Sequence, residues 1–137
     1  MSITPSRAAA WTAAILAALL VPALAAAVTR TPLVGTAHNA RIHATILVNP
    51  SGRTLYNLSA ERKGRFICTD TACLSFWHPL VVPKGTVPTG RVTLGTLRRP
   101  DGRIQVTYNR RPVYTYAHEG PRQVLCDDVD GWFVVRL

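Results

Sequence analysis

The stretch Ile104-Gln105-Val106-Thr107-Tyr108-Asn109-Arg110-Arg111-Pro112-Val113-Tyr114-Thr115-Tyr116 decides the fold class. Ile104, Val106 and Tyr108 alternate with polar residues, which is the period of a strand with one buried face. Asn109-Arg110 then makes a tight turn, and Pro112 to Tyr116 returns as a second strand. Turns of this kind favour Asn-Gly, because both central residues take positive φ. Arg110 stands in the glycine place. Either it is held in the left-handed region at a cost of roughly 1 kcal/mol, or the turn has another geometry.

The same grammar occurs upstream. Ile42, Ala44 and Ile46 alternate with Arg41, His43 and Thr45, and Leu47-Val48 completes a strand. Asn49-Pro50-Ser51-Gly52 is a turn, with Pro presetting φ and Gly accepting φ > 0. Thr54 to Leu58 returns. With Tyr56 laid on Tyr114, each tyrosine is followed five residues later by an acid, Glu61 or Glu119. Each unit closes on a tryptophan: Trp77 lies 21 residues after Tyr56, and Trp132 lies 18 residues after Tyr114. The expectation is an all-β fold, a small antiparallel sheet domain (barrel or sandwich), built from two duplicated hairpin units.

The linking segments read less clearly. Ala72 to Trp77 fits one helical turn, and Pro83 to Gly90 reads as a loop. Val92 to Leu97 fits either a short strand or an ordered connection. Ala117 to Asp130 reads as a polar loop, and Trp132 to Val135 as a final strand. Residues 28–40 read as an irregular lead-in to a domain spanning 41–137.

Residues 1–27 have the order of a secretory signal peptide, with a charge at Arg7, an apolar run and the small residues Ala23 to Ala27. Trp11 to Leu20 is short for a membrane span of roughly 20 apolar residues. An uncleaved anchor is the alternative. Cleavage would leave about 110 residues, the size of one domain. The expected location is extracytoplasmic, in the envelope, periplasm or medium.

Export implies an oxidising compartment. The polar stretch Thr69-Asp70-Thr71-Ala72 between Cys68 and Cys73 can turn, so a local disulfide is expected there. Cys126 is left over, either buried and free, or paired with another chain, or displacing one partner of that pair.

The formal charge is +9, with 16 Lys and Arg against 7 Asp and Glu. Most of that charge is Arg, spread along the chain, with Arg98-Arg99 and Arg110-Arg111 as the densest pairs. Two readings follow: solvated strand faces, or affinity for an anionic polymer or a protein partner. Neither a recognition helix nor a basic tail is visible, so an envelope polyanion fits an exported chain better than nucleic acid.

Thr54-Leu55-Tyr56-Asn57-Leu58-Ser59-Ala60-Glu61, Cys68 with Cys73, Trp77-His78-Pro79-Leu80, Leu94-Gly95-Thr96, Arg99-Pro100-Asp101-Gly102, Val106-Thr107-Tyr108-Asn109, Val113-Tyr114-Thr115-Tyr116 and Gly131-Trp132 together resemble a bacterial family. That family comprises secreted repeats of unknown function, described as predicted lipoproteins with a Tyr-x-(Phe/Trp/Tyr)-x-x-Asp motif. The resemblance spans about residues 42 to 135 and implies a small exported β domain, often envelope-associated, with no established activity. The chain departs from the pattern in four ways. Leu58 replaces an aromatic, Glu61 and Glu119 replace Asp, no lipidation cysteine is present, and Cys126 has no counterpart in the pattern.

Tyr56, Tyr114, Tyr116, Trp77 and Trp132 are the candidate binding residues, since Tyr114 and Tyr116 share one strand face. They serve equally as a cross-strand cluster that holds the sheet. Glu61 and Glu119 read as structural acids accepting backbone N–H bonds; a hydrolytic carboxylate pair is the rival reading. Cys126 with His78 and His118 raises a copper or zinc alternative, but their spacing matches no metal signature. Asp127-Asp128-Val129-Asp130 lacks a calcium-loop pattern and reads as a polar turn. No cofactor is expected. The leading expectation is a non-enzymatic module that binds an envelope or extracellular component.

Overall fold

The computed structural model describes residues 1–2 and 30–137. The expected signal segment, residues 1–27, falls almost wholly outside them. The strands in chain order are β1 (Arg30–Asn39), β2 (Ala44–Val48), β3 (Tyr56–Leu58), β4 (Trp77–Pro79), β5 (Val81–Val82), β6 (Val87–Gly90), β7 (Leu94–Arg98), β8 (Ile104–Tyr108), β9 (Arg111–Pro112), β10 (Tyr114–Tyr116) and β11 (Trp132–Val134). One short helix, α1 (Thr71–Phe76), precedes β4. The all-β expectation holds. The strands form three small sheets rather than a closed barrel: β2-β1-β6, β11-β3-β10-β4, and β5-β8-β7 with β9 beside β8.

Two expectations are corrected. Arg30–Asn39 is a ten-residue strand and not an irregular lead-in. It pairs antiparallel with β2 and parallel with β6. Pro32 hid it: the register slips between Pro32 and Val34, where a residue with no N–H is tolerated. The expected loop Pro83 to Gly90 ends in β6, the parallel partner of β1. Gly90 is required there, because a Cβ would lie 2.3 Å from the Val34 carbonyl oxygen.

The two hairpins fold as their turns dictate. Asn109 and Arg110 have φ of 49° and 62°, so the tight turn has positive φ at both central positions and Arg110 carries the strain. In the first hairpin Asn49 organises the turn, its Oδ1 accepting from the Ser51 and Arg53 amides. The Cys68–Cys73 disulfide is formed, joining residues whose Cα atoms are 5.5 Å apart. Asp70 caps α1 by accepting from the Cys73 amide at 2.9 Å, which satisfies one of the helix's free donors. The helix ends at Trp77, whose backbone is extended.

Backbone bonds join the hairpins in matching circuits. Leu55 N donates to Leu47 O, Leu47 N to Val135 O, and Val135 N to Leu55 O, at 2.9 to 3.0 Å. Val113 N donates to Val106 O, Val106 N to Leu80 O, and Leu80 N to Val113 O, at 2.8 to 3.1 Å. Each hairpin is thus closed by the segment just after a tryptophan strand: Leu80 follows Trp77, and Val135 follows Trp132.

The core has two compartments. One is aliphatic, with Leu47, Leu55, Val106, Val113 and Val135. The other gathers Tyr56, Trp77, Tyr114, Trp132 and the cysteines. Burying each such apolar side chain contributes roughly 1.5–3 kcal/mol before entropy is counted. In β8 the one-faced pattern read from the sequence is incomplete. Gln105 and Thr107 are buried as well as Val106, and Gln105 is held inside by accepting from Arg99 and donating to the Val113 carbonyl.

Candidate functional site

In the central sheet Tyr56 pairs with Tyr114, Trp77 with Tyr116, and Trp132 with Leu58. The first tyrosine strand therefore carries the second tryptophan strand, and the second tyrosine strand carries the first. Trp77 stacks on Trp132, with centroids 3.7 Å apart and planes 11° from parallel. Tyr56 meets Trp77 edge-on at 5.2 Å, and Tyr114 meets Trp132 edge-on at 5.0 Å. The two edge-on contacts are the T-shaped arrangement that ring quadrupoles favour.

The acids follow the same exchange. The Tyr56 hydroxyl donates to Glu119, and the Tyr114 hydroxyl donates to Glu61 Oε2 at 2.9 Å. Glu61 Oε1 also accepts the Ile67 and Cys68 amides at 2.7 and 2.9 Å. Glu119 Oε1 accepts the Leu125 amide at 2.6 Å. Burial raises the pKa of both tyrosines, and the neighbouring carboxylates raise it further. Both phenols therefore stay protonated as donors.

The two clusters differ in charge compensation. Beside Glu61 lies Arg99, a fully buried guanidinium. Its Nη1 donates to Gln105 Oε1 at 2.6 Å and to the Tyr114 hydroxyl at 3.1 Å; its Nη2 donates to the Cys68 carbonyl at 2.6 Å. Glu119 has no such partner. Its Oε2 is buried and accepts no hydrogen bond among the described residues. Burial accordingly raises its pKa.

Tyr56, Tyr114, Trp77 and Trp132, expected as binding candidates, are buried core residues, and Trp77 and Trp132 also line a surface depression beside the half-buried Tyr116. Glu61 and Glu119 are enclosed and accept from hydroxyl and amide donors, with Glu119 Oε2 left without one. His78 and His118 are exposed, whereas Cys126 is a buried free thiol. Among the described residues no three His, Cys, Asp or Glu side chains are grouped to hold a metal ion. Cys126 lines a depression of about 280 Å³ with Cys73, Tyr116, Trp77 and Trp132. Burial raises its thiol pKa, and Glu119 raises it further. Asp127 accepts from the Val134 amide and pairs with Arg136, so the acidic turn is tied to the last strand. A larger depression, about 600 Å³ between Pro32–Gly35, Val48–Pro50 and Thr89–Arg91, lies apart from the motif residues.

Sequence reasoning missed Arg99 and the equal spacing of Cys126 from Glu119 and Cys68 from Glu61. Arg99 was legible as half of a basic pair and as part of the Arg99-Pro100-Asp101-Gly102 stretch, but not as a buried charge. Cys126 follows Glu119 by seven residues, as Cys68 follows Glu61, and that equal spacing was a usable signal. From Pro32 onward thirteen of fourteen Lys and Arg side chains are exposed or half-buried, against five of seven carboxylates. Burial of Glu61 and Glu119 leaves the surface strongly basic. No family model, curated protein or solved structure matches the chain.

Proposed function

We propose that this chain is an exported, non-enzymatic β module that binds an anionic component of the cell envelope. We infer also that its two halves are copies of one unit, since tyrosine, acid and tryptophan recur in order and satisfy one another reciprocally. The resemblance to secreted repeats of unknown function supports export and an envelope location. The Cys68–Cys73 disulfide is compatible with an extracytoplasmic place, and among the described residues no helix is long and apolar enough to cross a membrane.

One observation carries the binding reading. The motif's aromatic and acidic residues are consumed as architecture, while nearly all the cations face solvent. A surface of this sign attracts polyanions and loses that attraction as salt screens it. The test is retention on purified cell wall. The full exported chain should be held at low salt and released as salt rises. An intact, folded protein that is not retained even at low salt would sink the proposal.

A further inference from the structure

We propose that the corner formed by Arg62, Lys63, Arg110 and Arg111 is a binding groove for a phosphate-rich polymer. This rests on the polyanion reading above and names its site and ligand class.

The groove is a depression of about 220 Å³ lined by these four cations and Asn109. No carboxylate lines it, and none of the four makes an ion pair among the described residues; the pairs present join Asp101 to Arg99 and Arg103, and Asp127 to Arg136. Arg62 is tethered, its Nε donating to the Ser59 carbonyl at 2.9 Å. Four like charges in so small a space repel one another until an anion enters. Three of them are guanidinium groups, whose planar forks match two oxygens of a phosphate.

The backbone adds a second observation. Arg110 sits at φ 62° and Lys63 at φ 56°, two of seven non-glycine residues with positive φ among the described residues, Arg122 being another. Arg110 occupies the hairpin position that glycine fills without strain. Such strain concentrates where a side chain is needed for more than folding.

The other half of the molecule shows that the fold does not need this charge. On the copy reading, Pro50, Ser51, Gly52 and Arg53 form the matching turn, and Gly120 and Pro121 match Arg62 and Lys63. That corner closes with Gly52 packed on Pro121 and the Arg122 amide donating to the Gly52 carbonyl at 3.0 Å. Arg53 and Arg122 are its cations, against four in the groove. The first turn is one residue longer, three residues between Asn49 and Arg53 against two between Tyr108 and Arg111, so one corner is closed with Pro, Ser and Gly and the other with Arg and Lys.

The test is titration of the full chain with linear inorganic polyphosphate over a salt series. Arg110→Gly should fold with an unchanged or higher midpoint, bind about fivefold more weakly, and reduce the salt slope by about one. Lys84→Gln/Arg91→Gln removes two exposed cations outside the groove and should bind nearly as the parent does. The groove is overturned if Arg110→Gly binds like the parent, or if the Lys84/Arg91 variant loses more. Equal competition by orthophosphate, at matched phosphate, overturns the polymer assignment. Equal binding of polyglutamate overturns the preference for phosphate. Retention on cell wall is scored separately: a parent held by the wall with polyphosphate binding insensitive to Arg110 removes only the groove. A parent bound by neither removes both readings.

Discussion

Trp77 and Trp132, one from each half of the chain, lie face to face with centroids 3.7 Å apart. Each also receives the edge of a buried tyrosine. Truncating either should cost about 3–5 kcal/mol, the range for a large aromatic removed from a packed core. Denaturant unfolding of Trp132→Ala and Trp77→Ala measures this. Because the stacked pair couples electronically, either variant should also abolish the whole exciton signal in circular dichroism. A half-sized signal would show that the rings are not stacked in solution.

Arg99 and Glu61 meet through the Tyr114 hydroxyl. Arg99→Met leaves the buried Glu61 carboxylate without its compensating charge and should destabilise by about 3–5 kcal/mol. Glu61→Gln in that background should recover part of the loss. A double-mutant cycle should give a coupling of about 0.5–3 kcal/mol; additivity would mean that the two groups do not share a network.

Glu119 should pull stability the opposite way from Asp101. Burial raises the Glu119 pKa, so the folded state holds its proton more tightly than the unfolded chain. Its contribution therefore falls as pH rises from the unfolded value near 4.3 toward the higher folded value. Asp101 is lowered to about 2 by hydrogen bonds from Arg103. Its contribution is present above the unfolded value of about 3.9 and is lost as pH falls toward 2. Unfolding of Glu119→Gln across pH 4 to 7 should show the first slope removed. An unchanged slope would refute the role of Glu119.

Tyr56 and Tyr114 predict alkaline lability. Both folded phenols ionise above the ordinary tyrosine value, so stability should decline once pH exceeds about 10. In a spectroscopic titration these two phenolates should appear only together with unfolding.

Cys126 is buried, and its thiol pKa is raised. The native protein should react slowly with an alkylating reagent, and the unfolded, unreduced chain should take up one equivalent at Cys126. Rapid native labelling would contradict the buried position.

What could be read from residues alone was local. The Asn109-Arg110 turn, the Cys68–Cys73 closure and the order Tyr, acid, Trp are set within a few positions, and the structure holds the turn and the disulfide. The strand Arg30–Asn39 was hidden because Pro32 and Gly35 broke its alternation, and because its parallel partner β6 lies some fifty residues away in the chain. Arg99 was hidden because a buried guanidinium depends on acceptors from Cys68, Gln105 and Tyr114, which come together only in the folded chain. The exchange of acids was hidden for the same reason: spacing shows that Glu61 follows Tyr56, but not that Glu61 serves Tyr114.

That exchange ties the two ends of the chain together. The Tyr56 phenol does not meet Glu61, and the Tyr114 phenol does not meet Glu119, so neither half satisfies its own interior. A cut between the halves would leave two pieces, each with a hydroxyl and a carboxylate short of a partner.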